Sequence, residues 1–276
     1  MSLAYEKVTA VFITYNRSDI LQMTFDALKR WNGFPHVRKI CSDDCSRPEH
    51  QARIKAMGFD EILIPAKNQG LGANTNKGLR RVETDYVLML QDDCTPVDVT
   101  AIDRALEILE TDPSVGMVRM MGDPRHFPFT RKQAPSGQLY WVCEHRSPEY
   151  AALKTQPRRI RIYSDQAQLR RKSIHESLIG YYLEKVPMEN VEMDYEDRID
   201  AQDRFYVAML SPTEDKFFLH SGTEASLRLG KFRYRLEAKI LKVVHAVGMK
   251  NWPGYAGGRA GYRALQEMLI KAGILK

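Results

Sequence analysis

The chain has 276 residues, 43% of them hydrophobic and 28% charged, with a formal net charge of +6. That size and apolar content suit one large domain, or one domain with an appendage, and exclude a disordered chain. The longest uncharged apolar runs, such as residues 8–15 and 86–90, are far too short to cross a bilayer as a helix, and four cysteines are too few for a disulfide framework.

Residues 8–15 (VTAVFITY) are apolar and β-branched between polar neighbours, the pattern of a buried strand. Ser18 or Asp19 is placed to cap a helix over 20–31, whose apolar stripe is Ile20, Leu21, Met23, Phe25 and Leu28. A second strand is expected over 36–42, then a helix over 48–57 ended by Gly58. A short strand at 61–65, a glycine-bearing turn and a helix near 73–81 follow. A strand at 86–90, a helix at 97–110 and a strand at 115–121 complete the series. Strands separated by single helices predict βαβ units and an α/β fold, a mostly parallel sheet with ligands at the carboxyl ends of its strands. Regularity lapses over 122–162, read as an extended insertion. A helix is expected over 169–184, then an acidic segment at 189–203 and a short strand at 217–219 ending at His220.

Polar groups follow each early strand: Thr14-Tyr15-Asn16-Arg17, then Asp43-Asp44, then a segment running from Asn68 through Gly70, Gly72 and Asn76 to Gly78, then Gln91-Asp92-Asp93. One such tip is an ordinary turn, since Asp and Asn serve as turn residues. Four on one sheet edge suit a nucleoside diphosphate. Asp43 and Asp44 can accept hydrogen bonds from a base or ribose, the glycines let backbone approach a ligand, and the following helix directs N–H groups there. Asp92 and Asp93 form a hard oxygen pair suited to Mg²⁺ or Mn²⁺.

In order and spacing, these segments resemble glycosyltransferase family 2, with its T-Y-N-R strand end, D-D-x-S turn, glycine segment and DxD-type motif. The resemblance implies a GT-A-type, Rossmann-like catalytic domain over 1–221. Its nucleotide-binding half would be 1–121, its acceptor-binding half 122–221, with a basic helical extension at 222–276. It implies a nucleotide-sugar site at Thr14, Tyr15, Asn16, Arg17, Asp43, Asp44, Asn68, Gly70, Gly72, Asn76 and Asp92. Gln91 replaces the first acid of the DxD motif and Thr75 stands where the family often has Arg, so Asp93 becomes the expected ligand of Mn²⁺ or Mg²⁺. His220, six residues before Ser226, resembles a late element whose His completes the metal site. Tyr195-Glu196-Asp197 resembles the segment holding the general base, with Asp197 the first choice and Glu196 the second. A solvated acidic helix is the rival reading of that pair, and a structural role that of His220. The implied reaction is an inverting transfer from a nucleotide-diphospho-sugar to a hydroxyl of a glycan, lipid-linked or other acceptor.

Residues 222–276 carry a net +8, against −2 for the rest of the chain. Over 224–247, Leu229, Phe232, Leu236, Ile240, Val243 and Val247 form an apolar stripe, and Arg228, Lys231, Arg235, Lys239 and Lys242 a basic one. Packing on the catalytic domain is the first reading of this helix, and peripheral contact with an anionic membrane surface the second. With no charged n-region leading into an apolar stretch, a secretory signal is not expected, and a cytoplasmic protein is. A non-catalytic glycan- or nucleic-acid-binding protein on the same scaffold is the alternative function. A sugar nucleotidyltransferase ranks lower, because no glycine follows the first strand.

Overall fold

Strand β1 (Val8–Thr14) is buried along its whole length, as an unbroken apolar run demands of a strand covered on both faces. The computed structural model describes residues 3–121, 128–154, 162–211 and 217–220. The strands after β1 are β2 (Arg38–Asp43), β3 (Glu61–Leu63), β4 (Tyr86–Gln91), β5 (Cys94–Pro96), β6 (Val115–Arg119), β7 (Phe129–Gln133), β8 (Leu139–Cys143), β9 (Gln168–Arg171), β10 (Tyr206–Met209) and β11 (Phe218–His220). The helices are α1 (Ser18–Leu28), α2 (Pro48–Lys55), α3 (Leu71–Leu79), α4 (Thr100–Thr111), α5 (Pro148–Lys154) and α6 (Met188–Ala201).

The main sheet has nine strands in the order β3-β2-β1-β4-β9-β6-β10-β8-β7, and β11 pairs with β5 in a second, two-stranded sheet. Strands β1 to β4 are mutually parallel, and β9 runs against both β4 and β6. Strand β10 is parallel to β6, and β8 is antiparallel to β10 and β7. Only β9 and β8 therefore oppose the common direction, so the sheet is mixed and mostly parallel. Alternation along β1 sends Val8, Ala10 and Phe12 into one core and Val11 and Ile13 into the other. The first core is closed by Leu21, Phe25 and Leu28 of α1 and by Ile102, Leu106 and Leu109 of α4. Leu79 of α3 and Val191, Tyr195 and Ile199 of α6 close the second. Phe12, Phe25 and Phe59 meet with ring centroids 4.6 to 5.8 Å apart, and a buried aromatic of this kind contributes roughly 1.5–3 kcal/mol.

The helix expected over 169–184 is not formed. Residues 168–171 make β9 instead, followed by a single turn of π-type helix at Ile174–Leu178. The reason is tertiary. A strand slot lies between β4 and β6, and filling it satisfies backbone groups on both neighbours. The amphipathic spacing of Leu169, Ile174 and Leu178 gives way to that pairing. The region read as an irregular insertion holds the β7–β8 hairpin, turned through Gly137 at φ +90°, and α5. Strand β5 was not anticipated at all. The chain divides into two units, Met1–Gly222 and Thr223–Lys276. The expected basic helix at 224–247 lies outside the described residues. Among those described, no helix is long and apolar enough to cross a membrane.

His175 is fully buried. Burial first, and then the charges of Arg170 and Lys172, push its pKa down to about 3. The ring stays neutral in the folded chain, whereas the unfolded chain takes up a proton below about 6.5. Acid therefore favours unfolding from about pH 6.5 down to about 3. Urea unfolding is expected to show a loss of about 2 kcal/mol between pH 7 and 5 from this group. His175→Phe should flatten that part of the pH profile, and an unchanged slope would refute the assignment.

Candidate active site

The register of the sheet brings three tips together. Thr14 pairs with Asp43 across β1 and β2, and Ile13 with Gln91 across β1 and β4. The ladder continues one step beyond the strands, with Asp44 N–H donating to the Thr14 carbonyl (3.1 Å) and Asp92 N–H to that of Ile13 (3.0 Å). Asp92 and Asp93 thus sit at the carboxyl end of the sheet centre, and both are buried.

One guanidinium spans that pair. Arg17, at the start of α1, donates from Nε to Asp92 Oδ2 (3.2 Å) and from Nη1 to Asp93 Oδ2 (2.8 Å), and its Nη2 lies 2.7 Å from Asp92 Oδ1. Thr14 Oγ1 also donates to Asp92 Oδ2 (2.8 Å), and Thr24 Oγ1 to the Asp92 carbonyl (2.7 Å). Burial pushes the Asp92 carboxyl up to about 7. The Arg17 charge opposes that rise and the Asp93 charge adds to it. Two adjacent carboxylates supply the hard oxygens that Mg²⁺ or Mn²⁺ prefers. The pairing of β11 with β5 sets His220 opposite Cys94, next to Asp93 in the chain. Asp92 and Asp93 offer hard oxygens of the kind a divalent ion would take. Among the described side chains, no group of three His, Cys, Asp or Glu stands close enough to hold one, and the His220 side chain is not among them.

The β2 tip is held by its own carboxylates. Asp43 Oδ2 accepts from Ser46 N–H (2.9 Å), and the Ser46 hydroxyl bonds Asp43 Oδ1. Ser46 Oγ in turn accepts from Asn16 N–H (2.7 Å), and Asn16 Oδ1 from Arg47 N–H (2.8 Å). Asn16 has φ +55°, a left-handed turn that Asn tolerates. Asp44 accepts at both oxygens, from Gln69 N–H (2.8 Å) and Gly70 N–H (2.9 Å), and so fixes the loop that enters α3. Gly70, at φ +86°, makes that entry. Asn68 Nδ2 donates to the Asp44 carbonyl (3.3 Å). Tyr15 stands 45% exposed beside these groups.

Helix α3 meets residues 181–184 through Gly72, Asn76 and Arg80, spaced by four and hence on one face. A Cβ on Gly72 would lie 1.9 Å from the Leu183 carbonyl oxygen, so only glycine fits. Asn76 clasps the Tyr182 backbone, accepting its N–H at Oδ1 (2.9 Å) and donating from Nδ2 to its carbonyl (2.9 Å) and to Glu184 (2.9 Å). The amide expected to touch the nucleotide is thus committed to the chain. Tyr182 stacks on Tyr195 of α6, with centroids 3.9 Å apart. Arg170, fully buried, donates from Nη1 to both tyrosine hydroxyls (3.1 and 3.0 Å). On α6, Glu196 is buried and Asp197 exposed.

The fold therefore gathers Thr14, Arg17, Asp43, Asp92 and Asp93 at one edge, and Asp44, Asn68, Gly70 and Gly72 at the start of α3. Sequence reasoning missed Asn74, whose Nδ2 donates to the carbonyls of Thr14 (3.2 Å) and Ser42 (3.1 Å). It also missed Lys77, whose Nζ donates to the Asp43 carbonyl (2.7 Å). Both lie inside the glycine segment, Asn74 buried and Lys77 half-buried, and polar residues on a helix that follows a strand tip were the available signal. Arg170 gave none, since it reads as one of a run of surface cations.

The family model described as Glycosyl transferase family 2 matches residues 9–179, more than half of the chain. The chain belongs to that family. The matched stretch includes every strand tip described above and ends before Glu196, Asp197 and His220. Beta-1,4 N-acetylgalactosaminyltransferase 1 of Homo sapiens is 29% identical over 106 residues, 38% of this chain and 19% of that protein. Among solved structures, the mannosyltransferase PcManGT from Pyrobaculum calidifontis, in complex with GDP-Man and Mn²⁺, superposes with a TM-score of 0.52 at 15% identity, covering 73% of this chain and 53% of that one. TarS 1–349 of S. aureus gives 0.50 at 15% identity, covering 76% and 59%. GalNAc-T7, with UDP, GalNAc and Mn²⁺, gives 0.50 at 15% identity, covering 73% and 42%. The architecture is the GT-A fold. The chain spans about a fifth of the human relative and about half of the structures.

Asn76→Ala would remove the clasp and leave the buried Tyr182 N–H and carbonyl unpaired. We expect a loss of about 2–3 kcal/mol in urea unfolding. An effect below about 0.5 kcal/mol would show that water replaces the clasp without penalty.

Proposed function

We propose that this protein is a glycosyltransferase that moves a sugar from a nucleotide-diphospho-sugar to a hydroxyl of a glycan, lipid-linked or other acceptor. The observation that carries this reading is the buried Asp92–Asp93 pair at the sheet centre, flanked on one edge by the tips of β1 and β2 and the entry to α3. Family membership supports it, as does the GT-A fold shared with a mannosyltransferase in complex with GDP-Man and Mn²⁺. On this reading 1–121 forms the donor half and 122–221 the acceptor half, and 222–276 is the separate basic unit.

Thr14, Tyr15, Asn16, Arg17, Asp43, Asp44, Asn68, Gly70, Gly72 and Asp92 line or shape the donor site. Asn76 shapes it from behind. Asp93 and His220 would hold Mn²⁺ or Mg²⁺, which would neutralise the departing diphosphate. The acceptor oxygen attacks the anomeric carbon as the bond to the nucleoside diphosphate breaks, inverting that centre, and a carboxylate removes the hydroxyl proton. Asp197 suits that task better than Glu196. It is exposed and can meet an incoming acceptor, whereas Glu196 faces the core. We place the protein in the cytoplasm, with peripheral contact of the 224–247 stripe with the inner face of the membrane kept as the second reading of that segment, after packing on the catalytic domain.

A thermal-shift panel of UDP-, GDP-, CMP- and dTDP-sugars with and without Mn²⁺ tests the reading. One nucleotide should stabilise the chain, and only with metal, and Asp93→Ala should abolish the shift. Asp197→Asn should keep the shift and lower transfer by at least a hundredfold. Transfer that survives in Asp197→Asn would move the base elsewhere.

A further inference from the structure

Arg17 contacts three of the four oxygens of the Asp92–Asp93 carboxylate pair. Its Nε and Nη2 sit on the two oxygens of Asp92 and its Nη1 on Asp93 Oδ2. Bidentate and bridging guanidinium contacts of this kind are directional and strong. The two acids are almost wholly removed from water, while the Arg17 side chain keeps 35% of its surface exposed. These carboxylates therefore face a cation supplied by the chain itself, and that cation stands at the solvent side. A divalent ion drawing on the same oxygens would meet a guanidinium already in place. Like charges at such separations repel strongly wherever water is thin.

The backbone around Arg17 is fixed, and its side chain is the part able to leave. Asn16 N–H is held by Ser46 Oγ, Asn16 Oδ1 holds Arg47 N–H, and the Arg17 carbonyl accepts the Leu21 N–H (2.9 Å) as the first bond of α1. The guanidinium can swing outward on its own flexible stem while the turn stays as it is. An anion arriving at the rim would receive it, and a diphosphate matches the guanidinium fork.

We propose that Arg17 is an exchangeable internal cation, which neutralises Asp92 and Asp93 when no donor is bound and frees Asp93 for the metal as the donor's diphosphate takes up the guanidinium. The proposal rests on the metal-dependent donor site argued above. Its consequence is coupling: metal and nucleotide each favour the other, because each requires the same side chain to move.

The test is Mn²⁺ binding to the full chain, followed by electron paramagnetic resonance without nucleotide. Wild-type protein should bind Mn²⁺ weakly, and Arg17→Met at least tenfold more tightly. Arg17→Lys, with one point charge in place of the fork, should fall between them. Asp93→Ala in the Arg17→Met background should abolish the gain. Should Arg17→Met fail to fold, the comparison of Arg17→Lys with wild type decides alone. Equal affinity in all forms, or weaker binding in the Arg17 variants, would overturn the exchange. The donor panel separates the two failures. A metal-dependent nucleotide shift in wild type alongside unchanged Mn²⁺ affinity in the variants would sink only the exchange. Absence of any nucleotide shift would sink the donor site as well.

Discussion

Two carboxylates withdrawn from water at the end of the central strand β4 are a costly feature of this molecule. A desolvated pair of like charges is unstable unless something of opposite sign stands against it. The burial that pushes Asp92 up to about 7 is the measure of that instability, and Arg17 is the counterweight. Much of the surrounding structure follows from supplying it. Strand β1 must end where it does so that Thr14 can donate to Asp92, and the turn after it must place Arg17 at the head of α1. Thr24, two turns further along α1, then holds the Asp92 carbonyl. Strand, turn and helix are fitted to a charge problem at the sheet edge.

The neighbouring tips solve a different problem with the same residue types. Asp43 and Asp44 spend their oxygens on backbone N–H groups of Ser46, Gln69 and Gly70. Such bonds organise loops that would otherwise leave buried amides without partners. Asn74 ties the carbonyls of Thr14 and Ser42 to α3, and Lys77 adds a third anchor at Asp43. The floor of the edge is thus a mesh of side-chain-to-backbone bonds, which holds the tips of β1 and β2 against α3 before any ligand arrives. Preorganisation of this kind lowers the entropy lost on binding.

How much of this the amino-acid order discloses depends on whether the interaction is local. The apolar run of β1, the helix at Ser18–Leu28 and the glycine entry to α3 are local patterns, and each is found within a few residues of its expected place. The gathering of Thr14, Asp43 and Asp92 follows from the parallel βαβ order and was legible for that reason. Strand β9 was not. Its register with β4 and β6 depends on a gap in the sheet, which no property of Gln168-Leu169-Arg170-Arg171 announces. The same holds for Arg170, buried against Tyr182 and Tyr195 although its sequence context is that of surface cations. Asn76 shows the subtler case. Its place in a glycine segment pointed to the nucleotide, and in the folded chain its amide is spent on Tyr182, which lies 106 residues away.

That clasp also links α3 to α6. Helix α3 carries the glycine loop after Asp44 at one end and contacts residues 181–184 along the face formed by Gly72, Asn76 and Arg80. From Tyr182 the contact continues by ring stacking to Tyr195, and so to α6, where Glu196 and Asp197 follow directly. Each step is short and stiff. The Leu183 carbonyl leaves no room for a Cβ at position 72, two hydrogen bonds fix the Tyr182 backbone, and Arg170 pins both phenols. Helices α3 and α6 are thereby joined by a continuous run of close-packed contacts. Glu196 anchors the buried face of α6 and Asp197 is offered on the other. The distance between an acid on α6 and whatever binds at the head of α3 is consequently set by Gly72, Asn76 and Tyr182, three residues that need not touch a ligand to determine where one acid stands relative to it.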